Sequence, residues 1–92
     1  MADDLKQLAD SIAAKRDAAR TARPDAATLQ ALQYEVALQR AILARRWLAP
    51  VQHAAEHAEA AIAQLKAAVT PDVREKLAPV ARDELDKPED RR

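Results

Sequence analysis

The sequence predicts an all-α protein, a small bundle of three to four helices. Two observations lead to this fold class. The 92 residues contain no glycine and no asparagine, the residues on which hairpin turns and left-handed helix caps depend. Alanine and arginine, which favour helices, are frequent along the whole chain. Because much of the 49% hydrophobic content is alanine, we expect a thin core in a chain of this length.

Helix one is predicted from Asp3 or Asp4 to about Thr21. Early aspartates favour the positive end of a helix, and apolar residues follow at helical spacing. These apolar residues are Leu5, Leu8 and Ile12. Pro24 marks the break after this helix, because the residue before a proline is pushed out of the helical region.

Helix two is predicted from about Pro24 to Ala49, and it has two apolar faces. The first face consists of Leu29, Leu32, Val36, Leu43 and Trp47. The second face consists of Tyr34, Leu38, Ala41 and Ile42. A helix with two apolar faces is expected at the centre of the bundle or against a partner. We expect the first face in the core, with Trp47 as its largest residue, and the second face at an interface.

Pro50 predicts a kink or a tight break between helices two and three, because proline lacks an amide hydrogen and clashes with the turn before it. Helix three is predicted over about 51–69. Its apolar residues alternate spacings of four and three, which is a heptad stripe. The stripe consists of Val51, Ala55, Ala58, Ile62, Leu65 and Val69.

A last helix is predicted to begin at Thr70, whose hydroxyl suits a helix cap, with Pro71 at the first helical position. Its apolar edge is interrupted by Pro79. We therefore predict a single helical domain over residues 1–86. Residues 87–92 are polar and are expected to fray.

Composition restricts the classes of partner. Residues 15–46 carry seven basic and three acidic side chains, a net charge of +4, in a chain whose total charge is zero. That excess is too small to predict a nucleic-acid partner. The chain has no cysteine, no apolar run near the roughly 18–20 residues of a membrane span, and an acidic N-terminus unlike a signal peptide. We expect a cytoplasmic protein without a membrane partner.

The usual parts of a catalytic centre are missing from the sequence. It has no cysteine, no glycine-rich phosphate loop, and a single serine remote from both histidines. We therefore predict no enzyme activity and no cofactor. The leading hypothesis is a protein–protein interaction module, a small adaptor, regulator or subunit, that binds itself as a homodimer or another chain through helix two. The residues predicted to bind the partner are Tyr34, Leu38, Ile42, Arg45 and Trp47.

Four arginines continue or interrupt the apolar stripes, and they form a predicted basic strip. They are Arg16, Arg20, Arg23 and Arg40. One interpretation is that these side chains reach from the rim of the bundle into water; the other is a binding strip for an acidic partner. Two alternative functions remain open. One is a metal-binding bundle that uses His53 and His57, which lie one helical turn apart. The other is a designed scaffold without a natural role.

Overall fold

A computed structural model describes the backbone of residues 2–47 and 52–87, with side chains over 4–47 and 56–87. These parts of the chain form five α-helices and no strand, which confirms the all-α bundle. The helices are α1 (Ala2–Thr21), α2 (Ala26–Trp47), α3 (Gln52–Ala68), α4 (Pro71–Lys76) and α5 (Pro79–Asp86). Pro50 and the tail at 88–92 lie outside the described residues, so the predicted kink and the predicted fraying stay predictions.

The predicted last helix is two short helices, α4 and α5. Pro79 has no amide hydrogen to continue the α4 ladder, and it restricts the residue before it. Accordingly, Ala78 is extended, with φ −60° and ψ 149°, and Leu77 is extended as well, with φ −74° and ψ 147°. The interruption predicted at Pro79 is therefore a complete break, and the number of described helices is five rather than three to four.

Polar side chains cap two of the helix starts. Asp25 accepts a hydrogen bond at 2.9 Å from the backbone amide of Thr28, so α2 begins at Ala26 and not at Pro24. Thr70 accepts one at 3.3 Å from the amide of Val73, with Pro71 in the first turn. The start predicted for the last helix is therefore confirmed.

Helix α2 is central, as predicted. It contacts α1, α3 and α4, while α5 contacts α1 and α3. Helices α1, α2 and α3 thus form one layer, and α4 and α5 pack on one side of it. The opposite side of α2 has no helix over it in the described part of the chain.

The core lies between the two layers. Its buried apolar residues are Leu8, Ile12, Ala31, Leu38, Ala41, Ile42, Ala58, Ile62, Val73, Leu77, Ala81 and Leu85. A third of these positions are alanine, which allows neighbouring helix backbones to approach closely but adds little apolar area. The thin, alanine-rich core expected from the composition is present.

The two apolar faces of α2 have the opposite roles to those predicted. Leu38 and Ile42, expected at an interface, are 1% and 4% exposed in the core, and Tyr34 is half-buried against it. On the first face, Trp47 is 75% exposed. Leu32 and Val36 on that face are partly buried and pack against the core, so the reversal on the first face concerns Leu29, Leu43 and Trp47.

The physical reason for this reversal is the charge on the first face. Arg40 lies between Val36 and Leu43 on that face, and a guanidinium group without a partner is very costly to bury. The second face, with its small Ala41 and the buried Ala31 beside it, accepts the neighbouring helices instead.

Thr70→Ala should lower the free energy of unfolding by about 1 kcal/mol, because the α4 amide that Thr70 satisfies would lose its acceptor. Urea unfolding followed by circular dichroism measures this change. Thr21→Ala is the control, since the Thr21 hydroxyl is exposed and bonds only to carbonyl oxygens of its own helix. Equal losses for the two variants would contradict a capping role for Thr70.

Candidate functional site

A fully buried carboxylate, Glu35, lies in the middle of α2 and is 0% exposed. The hydroxyl of Ser11 donates to its carboxylate at 2.9 Å, and Lys15 forms an ion pair with it at 3.1 Å. The backbone amide of Ala78 donates a further hydrogen bond at 2.8 Å. One side chain therefore joins α1, α2 and the link between α4 and α5.

The chemistry of this cluster favours a structural role over catalysis. Lys15 donates to the Ser11 hydroxyl at 2.7 Å, and Ser11 donates in turn to Glu35. Glu35 accepts the hydrogen bond of the Ser11 hydroxyl, but this carboxylate is 0% exposed and its charge is already paired with Lys15, so it is held as a buried ion-pair partner and not as a free base. The carboxylate is sealed from solvent. Lys15 neutralises its charge, and hydrogen bonds satisfy its oxygens.

A second ion-pair cluster joins α2, α3 and α5. Arg45 contacts the buried carboxylate of Glu84, and it also contacts Glu59 at 3.4 Å. Lys87 pairs with Glu84 at 2.6 Å. Burial opposes ionisation of Glu84, but the hydrogen bonds from Lys87 and Arg45 outweigh it and lower its pKa. Arg45 was predicted to bind a partner; its guanidinium is instead held by acids of the same chain.

Three large apolar side chains on α2 remain exposed, and we call them the outer stripe: Leu29, Leu43 and Trp47. Their exposed fractions are 41%, 38% and 75%. They lie on one side of the helix, because steps of 100° per residue bring positions 29, 43 and 47 within a narrow arc. Leu43 and Trp47 line a shallow depression together with Ala44 and Arg40.

The structure divides the predicted basic strip between the two ends of the outer stripe. Arg20 and Arg23 line a second depression beside Leu29, and Arg40 lies in the depression beside Trp47. Arg16 lines neither depression but is exposed, like the other three. The exposure of all four side chains agrees with arginines at the rim of the bundle.

Sequence reasoning missed Glu35 and the exposure of Leu29 and Leu43. The position of Arg40 was a usable signal for the exposed face, because an arginine within an apolar arc indicates a solvated side. No comparable signal pointed to Glu35. Its partners come from Ser11, Lys15 and the backbone of Ala78, which are 20 to 43 positions away.

The described residues do not support the metal-binding hypothesis. They contain no group of three or more histidine, cysteine or carboxylate side chains placed to hold an ion. His57 is exposed on α3. His53 lies outside the described side chains, so the pair stays a prediction.

Comparison with known proteins assigns no function to this chain. The sequence matches no family model, and neither a curated protein nor a solved structure matches it. Within the described ranges, none of the helices combines the length and the apolar character that crossing a membrane requires.

Glu35→Ala should destabilise the fold by about 3 kcal/mol, because it leaves Ser11, Lys15 and the Ala78 amide without their shared acceptor. Urea unfolding measures the loss. Glu75→Ala on α4 is the matched control, since Glu75 is exposed, and it should change stability by less than about 0.5 kcal/mol. Similar unfolding midpoints for both variants would show that the buried cluster is incidental.

The hydrogen bond from Arg46 lowers the pKa of Asp4 from 3.8 to about 2, and the pair joins the start of α1 to the end of α2. Because the folded-state pKa is the lower one, this pair stabilises the fold fully above pH 3.8 and ceases to do so as the pH falls through about 2. Arg46→Gln should raise the pKa of Asp4 in a carboxyl titration by nuclear magnetic resonance. Arg20→Gln should leave it unchanged, and a low pKa that survives in Arg46→Gln would contradict the assignment.

Proposed function

We propose that this chain is a non-enzymatic helical interaction module, a small adaptor, regulator or subunit, that binds a partner helix through the outer stripe of α2. The observation that carries the proposal is the 75% exposure of Trp47 beside Leu43 and Leu29 on the central helix. Tryptophan is enriched among the residues that contribute most to protein interfaces, because it buries a large rigid surface.

The spacing of the outer stripe suits a helical partner. Leu29 and Trp47 are 18 positions apart, about 27 Å along an ideal helix. Between them, the half-buried Leu32 and Val36 continue the same apolar arc. Side chains in such a row can insert between those of a second helix that lies along the first.

The outer stripe is presented on a rigid support. Contacts with α1, α3 and α4 hold the other sides of α2, and buried Glu35 fixes its position against α1 and the link between α4 and α5. Arg45 secures its last turn to Glu84 on α5. A surface that is ordered before binding loses little conformational entropy when a partner docks.

The partner is either a second copy of the chain or a different protein. Self-association no longer involves Leu38 and Ile42, since both side chains are in the core. We place the interaction in the cytoplasm, as expected from the sequence. No arrangement of the described side chains favours the metal-binding alternative.

Trp47→Ala should leave stability within about 0.5 kcal/mol of the parent, because the side chain contributes little to the core. The 75% exposure of Trp47 thus replaces the expectation from sequence that it is the largest residue of the core. The same change should weaken partner binding by about 2 kcal/mol or more. Chemical unfolding measures the first effect, and quantitative capture of partners from the native host measures the second.

Gln64→Ala, an exposed change on α3, is the control for this experiment. A protein captured by the parent and the control, but lost with Trp47→Ala and with Leu43→Ala, supports the proposal. Capture that is indifferent to both outer-stripe variants would contradict it, provided that both variants remain folded.

A further inference from the structure

We infer that the occupant of the outer stripe is an acidic amphipathic helix of another protein. This inference rests on the proposed function and adds the charge of the partner. An apolar ridge of the partner helix contacts Leu29, Leu43 and Trp47. Carboxylates on either side of that ridge contact the arginines at both ends of the stripe.

The charge of α2 favours an acidic partner. Helix α2 contains one acidic residue, Glu35, and it is fully buried. Of its three arginines, Arg45 pairs with Glu84 and Arg46 pairs with Asp4. Arg40 is exposed in the depression beside Trp47 and has no ion pair or hydrogen bond among the described residues. The Trp47 end of the stripe therefore presents a cation that pairs with none of the described carboxylates.

The Leu29 end also presents arginines, near the exposed Asp25 whose carboxylate caps α2. Arg20 and Arg23 line the depression beside Leu29. Arg20 lies 3.9 Å from Asp17, but both side chains are almost fully in water, where such a pair is weak. Cations thus flank the apolar stripe at both ends. A partner with carboxylates beside its apolar ridge matches that pattern, and its approach is favoured before contact.

A second copy of α2 fits this surface poorly. An antiparallel pairing that places Leu29 against Trp47 of the other copy brings position 40 opposite position 36. The two copies of Arg40 are then only about 6 Å apart along the helix axis. A parallel pairing in register places them side by side. In neither case does α2 supply an exposed acid, so like charges meet across the interface.

The experiment uses two synthetic helices of about three heptads, with leucine at a and d and either glutamate or lysine at e and g. Neither probe contains tryptophan, so the fluorescence of Trp47, the single tryptophan of the chain, reports binding at the surface itself. Because Trp47→Ala removes this fluorophore, binding of the probes to that variant is measured by calorimetry. The expected result is that the glutamate probe binds at least about tenfold more tightly than the lysine probe, and less tightly as salt is added.

Single charge reversals identify the arginine that provides the preference. Arg40→Glu should weaken the glutamate probe on the order of fivefold and strengthen the lysine probe. Arg82→Glu is the matched control, because it changes the net charge by the same amount. Arg82 lies on α5, which contacts α1 and α3 and is not part of the outer stripe. This control should leave both affinities unchanged. Trp47→Ala and Leu43→Ala should weaken the glutamate probe.

Three results would overturn the acidic partner. If the lysine probe binds as tightly as the glutamate probe, and Trp47→Ala weakens both, the surface binds helices without regard to charge and the interaction module stands. If sedimentation finds a dimer of the parent chain that Trp47→Ala abolishes, the occupant is a second copy and the module again stands. If the glutamate probe binds equally well to Trp47→Ala and Leu43→Ala, the outer stripe is not a binding surface and the proposed function fails with the inference.

Discussion

The buried carboxylate of Glu35 is the interaction on which the arrangement of the helices depends. An unpaired charge inside a protein is very costly, so burial of Glu35 requires Lys15 for charge and hydrogen bonds for both oxygens. Those partners come from α1 and from the link between α4 and α5. Once Glu35 is satisfied, the position of α1 along α2 and the position of the second layer over it are fixed together.

The same principle decides which side of α2 faces the core. Counted by apolar residues alone, the side with Leu29, Leu43 and Trp47 is at least as hydrophobic as the other. That side carries Arg40, which pairs with no acid in the described part of the chain, whereas Glu35 has partners. Pairing of charges, and not apolar area, therefore places the larger side chains in water. The only tryptophan is left on the surface, where a partner can bury it.

The sequence was sufficient for the local features of this fold. Pro24, Thr70 and Pro79 act through their immediate neighbours, so the helix ends that they set were predictable within a few residues. The orientation of α2 was not predictable, because it depends on partners that only the folded chain brings together. Arg45 illustrates this limit: its position in the sequence suggests a free cation, and its contacts with Glu59 and Glu84 exist only after three helices pack.

The hydrogen bond from the backbone of Ala78 to Glu35 has a consequence for the way this sequence can diverge. Since the donor is a main-chain amide, any side chain that the half-buried surroundings tolerate preserves it. Proline is the exception. It would fit the backbone angles of residue 78 and still remove the donor, leaving a carboxylate oxygen in the interior with one partner fewer. Among homologues, position 78 should therefore drift widely but exclude proline, while positions 11, 15 and 35 should change together.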